Sequence, residues 1–234
     1  MTPVSVIIPA YNAQDTLRRA VGSALDQTGV AVEVLIINDA STDRTRNIAS
    51  SLAEEHPDVT LLNHEQRQGP AGARNTGISN ATREYLAFLD ADDCWKPSKL
   101  RKQLRTMQDE SSSICFTNLE IYNRQGEFER FKKNDFEQPL EQVLLEIYLG
   151  KISNLTPTLL FKRSVVNTIG PLDEKLDYRE DHWFVMNAIS QFPYSHVPEP
   201  LVERHKVPSS YSNPTTRDHE KEIKSYERFN EMAL

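Results

Sequence analysis

Apolar residues fall in short blocks whose period switches between strand and helix. Val4-Ser5-Val6-Ile7-Ile8 is a compact strand-like run. Leu17, Ala20, Val21, Ala24 and Leu25 then recur on one helical face, with Asn12 as a candidate cap and Asp15 in the first turn. The alternation continues with a strand over 32–37 and a helix opened by Ser41, Thr42 and Asp43 that buries Ile48 and Leu52. A strand over 59–62, a helix over 71–81 and a strand over 85–89 follow. Pro97 suits the first turn of a helix burying Leu100, Leu104 and Met107. Repeated strand–helix units with apolar strands predict an α/β fold, with a mainly parallel sheet flanked by helices.

Beyond residue 113 the pattern is less regular. It predicts a strand over 114–122, a helix over 140–149, a strand over 158–161, a helix over 181–191 and an edge strand over 196–204. Residues 1–113 and 114–207 therefore read as two halves of one domain, and 208–234 as a linker and a charged surface tail.

Composition narrows the function classes. The 234 residues are 38% hydrophobic and 26% charged, which is a globular balance. The formal net charge of −7 disfavours a general nucleic-acid binder. No basic leader precedes an apolar signal core, and no apolar run approaches the ~20 residues that span a bilayer. Cys94 and Cys115 imply neither a disulfide framework nor a zinc knuckle. These features predict a reduced, cytoplasmic protein. The basic set Lys99, Arg101, Lys102 and Arg105 reads as a solvated helix face, with peripheral attachment to an anionic membrane as the alternative.

Chemistry concentrates where the strands end. Asp90-Ala91-Asp92-Asp93 follows the apolar run Tyr85-Leu86-Ala87-Phe88-Leu89. Three carboxylates closing a core strand repel one another and resist desolvation, and a hard divalent cation such as Mn²⁺ or Mg²⁺ relieves both costs. Pro9-Ala10-Tyr11-Asn12, the run from Asn38 to Asp43, and the run from Gly69 to Asn75 sit beyond other strands. In a parallel sheet these ends share one crevice. Singly, Asn12 and Asp43 read as helix caps, Arg74 as a solvated charge and Tyr11 as a packing ring. Together they read as a nucleotide and metal site. Arg204-His205 follows the last predicted strand, and a return of that strand to the crevice makes His205 a further metal ligand or diphosphate donor; a surface position is the alternative.

These stretches, with Trp95 to Leu100, Gly170-Pro171-Leu172-Asp173-Glu174 and Glu180-Asp181, resemble the inverting family 2 glycosyltransferases of the GT-A fold. The resemblance covers about residues 3–205 and implies a nucleoside diphosphate sugar donor, most often a UDP-sugar, and a glycan or lipid-linked acceptor. It implies that Pro9, Tyr11 and Asn12 line the nucleoside pocket and that Asp39 accepts the base N–H. Arg74 would lie beside the base or diphosphate. Asp90, Ala91 and Asp92 would meet the ribose and the metal–diphosphate, with Asp92 the direct ligand. Asp181 would be the general base, while Glu180 reads as a favourable first-turn charge. His182, Trp183 and Phe184 would flank the acceptor or pack in the core. Ala40 stands where the family often has glycine, which marks a poor fit if that turn needs a positive φ.

A sugar nucleotidyltransferase would carry a basic glycine-rich loop after the first strand, and a dinucleotide dehydrogenase would carry G-x-G-x-x-G there. Neither is present. A non-catalytic nucleotide-sugar or glycan binder would not need Asp90, Asp92 and Asp181 together. The implied Asp39 contact generates a selectivity test, because a wrong base leaves a buried acceptor unpaired. UDP should bind more tightly than ADP, CDP or GDP by calorimetry, and equal or tighter GDP binding would overturn the uridine assignment.

Overall fold

The computed structural model describes residues 1–153, 155–176 and 178–206, with Lys224, Glu227 and Arg228 of the tail. The predicted linker lies outside the described residues.

The first half alternates as its apolar pattern predicts: β1 (Pro3–Ala10), α1 (Leu17–Leu25), β2 (Ala31–Asn38), α2 (Thr45–Glu55), β3 (Val59–Asn63), α3 (Gly69–Asn80) and β4 (Tyr85–Phe88). There follow β5 (Cys94–Trp95), α4 (Lys99–Asp109), β6 (Ile114–Tyr122), β7 (Phe128–Lys132), α5 (Leu140–Tyr148), a 3₁₀ turn (Thr156–Thr158) and β8 (Leu160–Lys162). The last elements are α6 (Arg163–Ile169), α7 (Glu180–Ile189) and β9 (Tyr194–His205).

The strands form one nine-stranded sheet in the order β3-β2-β1-β4-β8-β6-β9-β5, with β7 added to β6. Neighbours among β1 to β4 are parallel, whereas β8 runs antiparallel to both β4 and β6. Because β8 bridges β4 and β6, the predicted halves share one sheet. Helices cover both faces. Val4, Val6 and Ile8 of β1 pack into one apolar cluster with α1, α2 and α4, while Ile7 points to the other with α3, α5 and α7. Chain progression reverses between β1 and β4, and at that switch an open sheet leaves a crevice beyond its strand ends.

Several local expectations are corrected. Asn12 does not cap α1, whose first residue lies five positions on; it adopts a left-handed φ of 49° and ties two loops together. The predicted edge strand is interior: β9 is twelve residues long and lies between β6 and β5. Cys94 and Trp95 pair with its Glu203 and Val202, so the two-residue β5 is the edge. Thr158 belongs to the 3₁₀ turn, not to a strand. Lys99 is not on the solvated face of α4 but fully buried, its Nζ bonded to Gln103 at 2.8 Å and 4.2 Å from the Trp95 ring centre. Phe184 is a core ring packed on Phe88 and Phe161. Both cysteines are buried and free.

The crevice depends on how closely α3 approaches the sheet. A Cβ at Gly77 would lie 2.3 Å from Ile7 Cγ2 and 3.1 Å from Ile37 Cδ1, so only glycine permits this approach. Gly77→Ala should therefore cost about 1–3 kcal/mol of overpacking despite its better helix propensity. Gly22→Ala on α1 meets nothing within 4 Å and should gain up to about 1 kcal/mol. Urea unfolding of the two variants checks the opposite signs; equal effects would contradict this packing.

Candidate active site

The four predicted polar segments converge at the carboxyl ends of β1, β2 and β4 and the start of α3. Beyond β1, the Asn12 N–H donates to Ser41 Oγ at 3.1 Å, and its Oδ1 accepts the Thr42 N–H at 2.9 Å. Asp43 fixes the same junction, accepting the Gln14 N–H at 3.2 Å and the Thr45 N–H at 2.9 Å. Ala40 has a φ of 54°, a left-handed backbone in which a side chain is strained. Tyr11 is exposed, with the Arg67 guanidinium 4.0 Å from its ring centre. Pro9 is the partly buried penultimate residue of β1.

Asp39 is only 3% exposed. Its Oδ1 lies 2.7 Å from His64 Nδ1 and accepts the Gln68 N–H at 2.8 Å, while Oδ2 accepts the Gly69 N–H at 2.9 Å. The free amides at the start of α3 are thus answered by a side chain of this protein. A carboxylate offers about four acceptor positions, so one remains on Oδ2. His64 is held by Thr76 Oγ1 at 2.9 Å from Nε2.

Arg74 occupies the centre. Arg74 is not a solvated charge but 5% exposed, above the Phe88 ring. One terminal nitrogen donates to Asp90 Oδ1 at 2.8 Å, the other to Glu180 Oε1 at 2.8 Å, and Thr156 Oγ1 lies 3.5 Å away. Its Nε has no hydrogen-bond partner among the described residues. Glu180 is therefore not a simple first-turn charge but half of a buried ion pair. Arg179, immediately before α7, adopts a left-handed φ of 67° and donates to the carbonyls of Ile147 and Tyr148 at the end of α5. That clamp aims the start of α7 into the crevice.

Glu180 and Asp181 titrate apart. Burial and the neighbouring Asp181 charge push Glu180 up to about 7, against the pull of Arg74. Burial also resists ionisation of Asp181, but the His182 charge and hydrogen bonds, with Arg74, outweigh it and bring the group down to about 2. Asp181 Oδ1 accepts the His182 N–H at 2.8 Å and lies 2.8 Å from His182 Nδ1.

The acidic turn is closed by the Asp93 N–H donating to Asp90 O at 3.0 Å, with Ala91 buried inside it. Arg19 steadies it through the Asp92 carbonyl at 2.9 Å. Burial, then Asp90, raises Asp92 to about 6, and burial with both neighbours holds Asp93 well above the usual carboxylate range. β9 returns to this turn: the His205 N–H donates to Asp93 Oδ1 at 3.2 Å. The His205 ring stacks on Tyr122 at 4.9 Å, and its buried Nε2 has no hydrogen-bond partner among the described residues. Burial and then Arg19 lower its pKa, favouring the neutral ring that can ligate a metal. Among the described residues no group of three His, Cys, Asp or Glu side chains is preassembled around a cation position.

Sequence reasoning missed His64, Thr156 and the pairing role of Glu180. His64 and Thr156 carry no pattern that marks them. Glu180 had one signal, its adjacency to another buried acid in need of a cation.

This sheet, flanked by helices on both faces, has the GT-A fold of solved glycosyltransferase structures. The model for "Glycosyl transferase family 2" matches residues 5–170, and the chain belongs to that family. It is 38% identical over 120 residues to the Escherichia coli protein WfgD, named as a UDP-Glc:alpha-D-GlcNAc-diphosphoundecaprenol beta-1,3-glucosyltransferase, covering 51% of this chain and 47% of that one. Among solved structures it resembles S. aureus TarS 1-349 in complex with UDP-GlcNAc, with a TM-score of 0.73, 20% identity and coverage of 98% and 72%. It also resembles the mannosyltransferase PcManGT of Pyrobaculum calidifontis in complex with GDP-Man and Mn²⁺, with a TM-score of 0.67, 22% identity and coverage of 89% and 58%. The chain spans about half the length of the curated relatives it matches. No helix among the described residues is long and apolar enough to cross a membrane.

The raised Glu180 gives a pH test. Between the ordinary glutamate value and about 7 the folded state keeps a proton that the unfolded state releases, so this group's contribution to stability falls as pH rises through that window. Glu180→Gln should remove about 1–3 kcal/mol of the fall in unfolding free energy between about pH 4.5 and 7, flattening the slope there. An unchanged slope would show that Glu180 titrates normally.

Proposed function

We propose that this protein transfers a sugar from a nucleoside diphosphate sugar, with UDP as the favoured nucleotide, to an acceptor hydroxyl with inversion. The carrying observation is that Arg74 joins Asp90, on the donor side, to Glu180, beside Asp181. The acceptor would be a growing glycan or a lipid-linked saccharide, in keeping with the diphosphoundecaprenol-linked sugar in the name of WfgD.

Tyr11 would stack on the base, and the remaining acceptor position of Asp39 would receive its N–H, with Pro9 and Asn12 shaping the pocket. Asp90 and Ala91 would meet the ribose. Asp90, Asp92 and His205 would hold Mn²⁺ or Mg²⁺; the elevated acids of the turn fit that demand, as does His205 Nε2, which makes no hydrogen bond among the described residues and has Glu203 Oε2 3.8 Å away. A bound cation would supply Lewis-acid neutralisation of the leaving diphosphate. Arg74 keeps the two carboxylate sets apart and fixed. Glu180 is occupied by Arg74, so Asp181 is left to take the proton from the attacking hydroxyl. His182 holds one oxygen of Asp181 and leaves Oδ2 for the acceptor.

Two substitutions separate the roles. Asp92→Asn should abolish the Mn²⁺ enhancement of UDP binding in calorimetry, and a retained enhancement would refute the metal assignment. Asp181→Asn should leave UDP–Mn²⁺ affinity unchanged while lowering transfer by about 10²–10⁴-fold. Normal turnover in Asp181→Asn would exclude it as the base, and donor binding without transfer or hydrolysis in the wild type would favour a sugar-nucleotide sensor.

A further inference from the structure

Outside the crevice, exposed apolar side chains gather at the β6–β7 hairpin. Phe128 is 50% and Phe131 63% exposed. Residues three apart on a regular strand face opposite sides of a sheet. A register shift between Ile121 and Tyr122 pairs Tyr122 with Phe128 and Ile121 with Arg130, which brings both phenylalanines onto one face. Their rings lie 5.0 Å apart. The turn that presents them is stiff: the Asn123 and Glu127 backbones bond at 2.9 Å, and Asn123 Oδ1 accepts the Gln125 and Glu127 N–H groups at 3.0 and 2.9 Å.

The charge around this pair is opposite in sign to the chain as a whole. Residues 124–133 carry Arg124, Arg130, Lys132 and Lys133 against Glu127 and Glu129, while the full chain is at −7. Lys206 answers Glu129 at 2.6 Å, and Asn123 holds Glu127 at 3.0 Å. Arg124 and Arg130 are exposed and make no ion pair among the described residues. The aromatic face is also continuous with the candidate metal site. Phe128 meets Tyr122 edge-on at 6.0 Å, Tyr122 stacks on His205, and the His205 N–H holds Asp93.

We propose that the β6–β7 hairpin docks this protein on an anionic lipid bilayer, with Phe128 and Phe131 entering the interface and Arg124, Arg130 and Lys133 meeting the headgroups. Phenylalanine carries no polar handle for sugar hydroxyls, whereas apolar rings flanked by cations match the layering of a bilayer surface. Docking there would set the crevice beside the lipid headgroups, where a lipid-linked acceptor presents its sugar. That purpose rests on the proposed transfer reaction; the docking itself is measured without donor or acceptor.

The test is co-sedimentation of the full chain with phosphatidylcholine vesicles, with and without phosphatidylglycerol. The wild type should pellet with the phosphatidylglycerol vesicles and be released by about 0.5 M salt, which screens surface charge. Phe128→Ser combined with Phe131→Ser should lower the partition coefficient at least about tenfold, as expected for two rings leaving an apolar phase. Arg130→Glu should lower it by a smaller, salt-dependent factor. Unchanged far-UV circular dichroism and melting temperature in the variants, measured without nucleotide, show that they are folded. A wild type that stays in the supernatant, or a double-serine variant that pellets as well as wild type, overturns the proposal. So does a double-serine variant that loses affinity only for a soluble oligosaccharide, which would make the rings a sugar platform.

Discussion

A guanidinium cannot be buried alone, and at Arg74 this constraint organises the crevice. Its compensation comes from two elements far apart in sequence: Asp90 in the turn after β4 and Glu180 at the first turn of α7. Removing one partner of such a buried set typically costs about 3–5 kcal/mol, because a charge is left without an answer. Distance between the acidic turn and α7 is therefore fixed by the width of one guanidinium. Phe88 supports its plane, and the Arg179 clamp on the end of α5 fixes the angle at which α7 arrives.

The same region concentrates more negative charge than it can comfortably ionise. Asp92, Asp93 and Glu180 are all pushed upward, while Asp181 is pulled down by His182 and Arg74. This divides the site into two parts. The acids of the turn stay elevated despite Arg19 and Arg204, and β9 delivers His205 to the edge of that turn. The α7 carboxylates are instead satisfied internally, which leaves Asp181 ionised beside the crevice. Such a division suits a reaction that must stabilise a departing diphosphate on one side and remove a proton on the other.

Much of this arrangement was legible in the sequence because the apolar strands end abruptly in polar segments. A core run that stops in Asp90-Ala91-Asp92-Asp93 leaves few physical alternatives, and β1 to β4 each announce themselves by local composition. What was not legible is non-local. β5 has two residues and exists only because β9 pairs with it. β9 read as an edge strand because its pairing with β6 on one side and with the two-residue β5 on the other has no local signal. Asn12 looked like a helix cap because that role is local, but its partners are Ser41 and Thr42 in another loop. Ala40 was readable as a misfit, and its left-handed φ shows that the turn does need that geometry. His64 and Thr156 sit in ordinary polar segments, and only the folded sheet reveals what they hold.

The central claim is that one arginine couples the acidic turn after β4 to the start of α7. A double-mutant cycle with Asp90→Asn and Glu180→Gln, read by urea unfolding above about pH 7, where Glu180 is ionised, and with Arg74 intact, tests it most directly. Each single change leaves Arg74 one carboxylate, whereas the pair leaves its charge buried without either. The account predicts that the double variant loses more stability than the two single losses combined, by at least about 0.5 kcal/mol. Losses that simply add would show that Asp90 and Glu180 are independent and that Arg74 does not join the two sides of the site.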